Sequence, residues 1–261
     1  MRCCIVGIGK HASENLIPAL QRLQTEGLIK LTHLCREHPE KGDGGLGLPT
    51  TKEFPEDIDF MVVCGHPTLH KKAIDFSNRT KIPVFVEKPH IIEDQYVNDN
   101  VMIGYNYNFI PLVPDSVDTI ICGSRGVYRS WPDIFHDKNE IYYHTFHSMI
   151  VHPISVIVQR HGIPHTVNVI NNSVGDAVEL KIELTYGDKI RTIIFSSKCE
   201  KFSLDVMWND KIVICKEFKS ESYYNMLKYY VNTKFVPLIN NAKTGKDVLL
   251  VVTKCLKLLI D

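Results

Sequence analysis

Several features that would place this chain in a special class are missing from it. No stretch approaches the roughly 20 apolar residues that a membrane helix needs. The apolar run from Val248 to Ile260 is broken by Lys254 and Lys257, and reads as a buried or docking helix. Neither sign of charge prevails, with 30 Lys+Arg against 30 Asp+Glu, so no net field points toward nucleic acid or an anionic membrane. The opening Met1-Arg2-Cys3-Cys4-Ile5-Val6-Gly7 is apolar over too few residues for a secretory signal. None of the eight cysteines (Cys3, Cys4, Cys35, Cys64, Cys122, Cys199, Cys215, Cys255) stands in a C-x-x-C spacing. Cys3, Cys4, Cys35 and Cys64 fall in or beside apolar runs, where thiols behave as small hydrophobes. A cytoplasmic protein with reduced thiols is the expectation, the adjacent pair being the one place for a redox role. Repeats and low-complexity tracts are also absent.

What is present divides into two rhythms, and 261 residues suffice for two modest domains. Cys3–Val6 is a continuous apolar run, as in a strand buried on both faces. Leu16, Ile17, Leu20 and Leu23 then recur at helical spacing. Ile29–Cys35, Phe60–Cys64 and Val84–Val86 read as further strands, Pro67–Asn78 as a helix, and Val101–Tyr105 as the strand that closes the series. Strand alternating with helix predicts a parallel sheet with right-handed crossovers. After about Asn108 the pattern changes. Tyr142–Gln159 predicts a long helix. Val178, Leu180, Ile182, Leu184 and Tyr186 alternate strictly with Glu179, Lys181, Glu183 and Thr185, and Gly187-Asp188 turns the chain into Ile190–Ser196. Phe202–Trp208 and Lys211–Phe218 extend this into an antiparallel meander with one wet face. Helices over about Glu221–Ile239 and Lys246–Leu259 end the chain. The expected architecture is therefore α/β: a Rossmann domain over residues 1–108, then an α+β domain over 109–261 with an open, mainly antiparallel sheet for substrate binding or oligomerisation.

The first chemical signal is Gly7-Ile8-Gly9-Lys10-His11-Ala12, a G-x-G-x-x-A set between a strand and a helix. The first glycine permits the tight turn, the second lets backbone approach a pyrophosphate, and Ala12 allows close packing of helix on strand. The helix N-terminus favours the anion. At the end of the second strand, where an acid usually binds the ribose 2′-hydroxyl of NAD, stands Leu34-Cys35-Arg36-Glu37-His38. Arg36 suits a 2′-phosphate, and Glu37 suits NAD, so NADP is favoured over NAD. Gly42-Asp43-Gly44-Gly45-Leu46-Gly47 lacks the Lys-Ser/Thr of a phosphate loop and reads as a flexible connection. Asp59-Phe60-Met61-Val62-Val63-Cys64-Gly65-His66-Pro67-Thr68-Leu69-His70 and Val84-Phe85-Val86-Glu87-Lys88-Pro89 each put polar residues at the C-terminal end of a strand, where open α/β sheets bind ligands. Lys88 there can stabilise negative charge as a carbonyl becomes an alkoxide. An ion-paired loop is the plainer alternative for Glu87-Lys88.

Taken in order, the glycine motif, the Asp59 strand with its histidine, Glu87-Lys88-Pro89 and Gly104-Tyr105-Asn106-Tyr107 resemble the Gfo/Idh/MocA family of NAD(P)-dependent oxidoreductases. The likeness covers most of residues 1–111, and Glu87-Lys88-Pro89 is its most specific piece. It implies a cofactor lying over Gly7, Gly9, Lys10 and His11, with Arg36 at the adenosine end. Along its length it implies contacts from Gly65, His66, His70, Glu87, Lys88 and Asn106. His147-Ser148-Met149-Ile150-Val151-His152-Pro153-Ile154-Ser155 is similar to the family's Asp-x-x-x-His helix beside nicotinamide and substrate. His152 matches the family histidine, a proton donor or substrate ligand, and Tyr107, His144 and Ser148 are implied beside the substrate. Ser148 and Ser155 stand where the family usually has Asp, and Asn108 replaces an arginine. These departures weaken the case for sugar-alcohol oxidation, because the acid that partners His152 is gone. Relatives without that acid include reductases of cyclic imines and tetrapyrroles.

Residue types point the same way. On one helix His144, Ser148 and His152 fall at i, i+4 and i+8, and imidazole titrates near neutrality. Lys88 and His152 are thus the expected catalytic pair, one polarising the substrate and the other exchanging the proton that accompanies hydride transfer. Hydrogen-bonded core histidines are the bland alternative. A zinc site is disfavoured because no Cys or carboxylate stands beside H-x-x-H, so no metal is expected. The tyrosines at 142, 143, 223, 224, 229 and 230 read as packing. The expected partner is a small-molecule substrate, with neither nucleic acid nor membrane, and the C-terminal sheet is the expected place for association as a homodimer or homotetramer. The competing reading is a catalytically degenerate, nucleotide-binding regulatory protein of the same fold.

Overall fold

Apolar continuity decides the first sheet. In a computed structural model, which describes residues 1–65, 67–88, 98–110, 117–125, 137–175, 177–208, 211–214, 219–236 and 238–260, strand β1 (Arg2–Val6) sits at the centre of a parallel sheet. Its neighbours are β2 (Lys30–Cys35) and β4 (Phe60–Val63). The short β3 (Thr50–Thr51) lies outside β2. Beyond β4 come β5 (Val84–Val86) and β6 (Val101–Ile103), giving the order β3-β2-β1-β4-β5-β6. Cys3 to Val6 and Phe60 to Val63 are wholly buried, as strands covered on both faces must be. The order of connection reverses between β2 and β4 on either side of β1, and open α/β sheets bind ligands at such a point, beyond the carboxyl ends of the strands.

Helix α1 (Ile17–Thr25) follows a π-helical turn, Ala12–Leu16, in which the Ile17 N–H bonds to the Ala12 carbonyl. Pro18 has no N–H to offer and its ring crowds the preceding turn, which accounts for the wider loop just before it. Helix α2 (Pro67–Thr80) links β4 to β5. By contacts the chain divides into two units: Met1–Phe109 with Lys219–Lys246, and Ile110–Phe218 with Asp247–Asp261. The first unit thus takes in a late segment, although a boundary near 108 reads more simply from the sequence. Helix α5 (Lys219–Asn232) packs on α1 and on the 3-10 turn Asn106–Phe109. Tyr223, Met226, Leu227, Tyr230 and Phe235 join the core formed by Leu16, Leu20, Leu23, Phe60 and Phe85. Asn241 bridges Met102 antiparallel at the β6 edge, and the Ile103 N–H donates to the Asn240 carbonyl at 2.8 Å. Unpaired strand edges invite association, and this segment caps one.

The second unit holds β7 (Thr119–Arg125), β8 (Thr166–Asn171), β9 (Glu179–Tyr186), β10 (Lys189–Ser196), β11 (Lys198–Trp208) and β12 (Lys211–Ile214) in the order β12-β11-β7-β10-β9-β8. The alternating residues of β9 face inward as expected, Leu180, Ile182 and Leu184 being buried. The expected meander needs correction. Strand β7 lies between β10 and β11, parallel to the first and antiparallel to the second. Only Ser197 separates β10 from β11, too little for a two-residue hairpin, so the chain runs on and pairs across β7. Of the expected strand Lys211–Phe218, residues 215–218 lie outside the described residues.

The long helix expected over Tyr142–Gln159 also needs correction. It is α3 (Lys138–Thr145), a π turn Phe146–Ile150 and α4 (Val151–His161). Asp137 caps α3 by accepting the Glu140 N–H at 2.9 Å. Pro153 stands just after the π turn, as Pro18 does in the first unit, and Val151 donates instead to Phe146. The inserted residue breaks the strict i, i+4, i+8 stacking of His144, Ser148 and His152. The last helix, α6, spans Ala242–Ile260. No helix among the described residues is long and apolar enough to cross a membrane.

Candidate functional site

The turn after β1 is built from backbone alone. Gly7 has φ +78°, a region that L side chains rarely adopt, and its N–H donates to the Cys35 carbonyl at 2.9 Å. A Cβ placed there would lie 2.8 Å from Gly65 Cα and 3.0 Å from Gly65 N. The turns after β1 and β4 therefore touch, glycine on glycine. Gly9 differs: a Cβ built on it meets no described atom within 4 Å. The space beside that backbone is open, and the helix begins directly after it, with Ser13 N–H donating to the Gly9 carbonyl at 3.0 Å. Lys10 and His11 are exposed at this end and Ala12 is buried. Such an open glycine cradle at a helix N-terminus fits a diphosphate.

At the end of β2, Arg36 donates through Nη1 to the Gly42 carbonyl at 2.6 Å, while Glu37 and His38 are exposed. The Gly42–Gly47 stretch, read above as a flexible connection, takes a defined turn. Asp43 accepts the N–H groups of Gly45 and Leu48 at 3.0 and 2.8 Å, and these bonds hold its carboxyl below the usual range. His70 is buried in α2 and its Nε2–H meets the Gly65 carbonyl at 3.1 Å, so it secures the β4 turn from within. His66 lies outside the described residues.

Beyond β5, Glu87 is buried and Lys88 half-buried. Glu87 Oε2 accepts the Lys88 backbone N–H at 3.2 Å, and Oε1 has no hydrogen-bond partner among the described residues. Gly104 makes the room: a Cβ there would stand 2.6 Å from Oε1. His11 Nε2 is 3.9 Å from Glu87 Oε2 and 3.0 Å from Tyr223 Oη. Asn106, also buried, donates through Nδ2 to Ser222 Oγ at 2.9 Å and leaves Oδ1 unpartnered among the described residues. The motif tyrosine Tyr107 is buried one residue on. Asn108, at the family's arginine position, donates to Asn240 Oδ1 at 2.6 Å. Periodicity classed Tyr223 as packing and left Ser222 unremarked, because the signals that mark them are contacts 212 and 116 residues distant in the chain.

Burial pushes the Glu87 carboxyl up to about 7, against the opposing effects of the Lys88 charge and N–H. In the unfolded chain the group titrates near 4.5. The folded protein therefore holds an extra proton between those values, and stability falls as pH rises from about 4.5 to 7. The full difference is on the order of 3 kcal/mol. Glu87→Gln is expected to remove this slope, which urea unfolding of both proteins at pH 5 and pH 8 would measure. An unchanged slope would show that Glu87 is ionised throughout.

In the second unit, His144 and Ser148 are half-buried, and His152 is buried in α4 with its carbonyl accepting the Ser155 hydroxyl at 2.6 Å. The His147 ring lies 4.3 Å from the exposed Tyr143 ring, tilted by 43°, and burial lowers its basicity. No cluster of three or more His, Cys, Asp or Glu able to hold a metal occurs among the described residues. The free cysteines described are mostly buried, and burial raises the Cys3, Cys4, Cys35, Cys64, Cys122 and Cys255 thiols, which makes them poor nucleophiles.

Residues 1–99 match the family model GFO_IDH_MocA, described as an oxidoreductase family with an NAD-binding Rossmann fold. Over that stretch the chain is similar to the Gfo/Idh/MocA family. Structures similar to the whole chain show the same fold. A myo-inositol dehydrogenase from Corynebacterium glutamicum aligns with a TM-score of 0.72 at 14% identity, over 99% of this chain and 96% of its own. GenD2 from gentamicin A biosynthesis, solved in complex with NAD, aligns with 0.73 at 12% identity, over 100% and 94%. The UDP-N-acetylglucosamine 3-dehydrogenase GnnA from Acidithiobacillus ferrooxidans aligns with 0.71 at 11% identity, over 99% of both chains. No curated protein matches in sequence. Within the first unit, the glycine turn, Glu87-Lys88 and Asn106 are the features that both motif and geometry single out.

Proposed function

We propose that this protein is an oxidoreductase that holds NAD(P)(H) on its first unit and acts on a carbonyl, imine or carbinol carbon of a small molecule. The observation that carries the reading is the contrast between the two glycines. Gly7 is locked by its φ and by Gly65, while Gly9 fronts open space at the start of a helix. That is what a diphosphate requires of backbone. The bound nicotinamide supplies or takes the hydride.

The protein's own residues do the rest. The first amides of the helix after Gly9, which lack intrahelical partners, bind the diphosphate. Arg36, held at the end of β2 by the Gly42 carbonyl, favours a 2′-phosphate and hence NADP over NAD. The unpartnered Asn106 Oδ1 offers an acceptor to the cofactor. Lys88 polarises the substrate oxygen or nitrogen, and His152 carries the accompanying proton. Association through the second sheet belongs to the same reading, since Ile190 and Ile194 on β10 are exposed. So does a cytoplasmic setting.

Calorimetric titration with NADPH and NADH is the test. Affinity in the micromolar range is expected, the usual scale for enzyme substrates, with NADPH the tighter. No heat with either nucleotide at millimolar concentration would overturn the proposal. Binding without turnover on any carbonyl or imine substrate would assign the chain to the regulatory class instead.

A further inference from the structure

We infer that Ser222 and Tyr223, consecutive residues of α5, are positioning residues for the nucleotide site: Tyr223 holds His11 at the glycine turn and Ser222 holds Asn106. The inference rests on the proposed NAD(P) site and adds to it a part of the chain that the motif does not reach. Residues 219–246 fold with the first unit, which brings α5 against the π turn behind Gly9. Tyr223 Oη lies 3.0 Å from His11 Nε2, with the rings edge-to-face at 5.6 Å. Asn106 Nδ2 donates to Ser222 Oγ at 2.9 Å. Both α5 residues are buried, and the Ser222–Asn106 bond is shielded from solvent on both sides, while the His11 ring stays partly exposed.

The helix that carries them is itself pinned. Tyr224 Oη donates to both Glu26 carboxylate oxygens at 2.7 and 2.9 Å. Arg22 stands 3.5 Å over the Tyr224 ring and pairs with Glu221 at 3.0 Å, and Lys228 reaches Glu26 at 3.2 Å. These contacts fix α5 along α1, the helix that the glycine turn opens. Asn15 leans on the far side of the imidazole, its Nδ2 3.5 Å from His11 Nδ1. With Nδ1 accepting, Nε2 carries the proton and donates to Tyr223. His11 is thereby held between Tyr223 and Asn15, with the buried Glu87 carboxyl 3.9 Å away. A side chain so restrained at the head of the helix keeps the first amides aimed, and Ser222 does the same for the amide of Asn106.

The test is a set of single and double variants of the full chain titrated with NADH. Tyr223→Phe and Ser222→Ala each remove one hydroxyl and are each expected to raise the NADH Kd about tenfold. Thermal unfolding without nucleotide is expected to change little for Tyr223→Phe and to fall by several degrees for Ser222→Ala, which leaves the buried Asn106 amide without that acceptor. Positioning through His11 predicts non-additivity: adding Tyr223→Phe to His11→Leu should weaken binding by no more than about twofold further. His11→Gln, which keeps an N–H for Tyr223, should restore most of the affinity that His11→Leu loses. Should Tyr223→Phe not fold, Ser222→Ala paired with Asn106→Leu forms the same cycle. Single variants that bind NADH as wild type does, or losses that multiply in the double variant, would overturn the inference while leaving the cofactor site intact. A wild-type chain that binds no nucleotide would overturn both.

Discussion

Gly9→Val is expected to weaken nucleotide binding at least about 100-fold, while the folded state loses little. Nothing described approaches the position of its Cβ within 4 Å, and its φ lies outside the left-handed region, so valine fits the empty protein. The same side chain fills the space through which a diphosphate must reach the helix amides. Hydrogen bonds to a charged group contribute about 1.5–3 kcal/mol each, so the loss of one or two accounts for the factor. Gly7→Val should fail differently. Its φ of +78° and the Gly65 backbone 2.8 Å from its Cβ leave valine no room to give. Left-handed backbone costs about 1–2 kcal/mol before any clash, and forced repacking about 1–3 more. Gly7→Val is therefore expected to unfold several degrees to tens of degrees earlier. Differential scanning calorimetry and NADPH titration of both variants separate the two roles. Equal destabilisation, or undisturbed binding in Gly9→Val, would refute the assignment.

Lys88→Met is expected to lower kcat by about 10²–10³ and to leave the nucleotide Kd within a few-fold of wild type. Methionine keeps the length and apolar stem of lysine and discards only the charge. Lys88 follows β5 at the carboxyl edge of the sheet, half-buried, with its backbone N–H on Glu87. A cation there matters most when charge develops on the substrate, so it should act on the chemical step more than on binding. Its loss also removes the charge that opposes the upward shift of Glu87, so Glu87 should stay protonated to higher pH in the variant. Steady-state kinetics on any accepted carbonyl or imine substrate, beside a binding titration, gives both values. A variant that turns over as wild type does would leave Lys88 a structural residue of the loop.

Much of the first unit was legible because its rules are local. An uninterrupted apolar run such as Cys3–Val6, set directly before a glycine turn, reads as a strand buried on both faces. The G-x-G-x-x-A motif marks a strand–turn–helix in which each glycine has a separate steric duty. Pairing across distance was not legible in this way. Nothing in Thr119–Arg125 states that it will lie between β10 and β11, because strand pairing joins segments distant in the chain. The π turns before Pro18 and Pro153 were likewise hidden: periodicity marks helix, and only the missing N–H reveals how the helix yields.

For the candidate site, residue type and motif by themselves singled out the glycine turn, Glu87-Lys88 and Asn106, since the role proposed for each rests on backbone freedom, charge or an amide at a strand end. Tertiary structure decided what steadies them. It returned residues 219–246 to the first unit, set Tyr223 on His11 and Ser222 on Asn106, and buried Glu87 until its carboxyl holds a proton near neutrality. The physical reason is that hydrogen bonds and desolvation depend on neighbours in space, and a linear pattern specifies neighbours only along the chain.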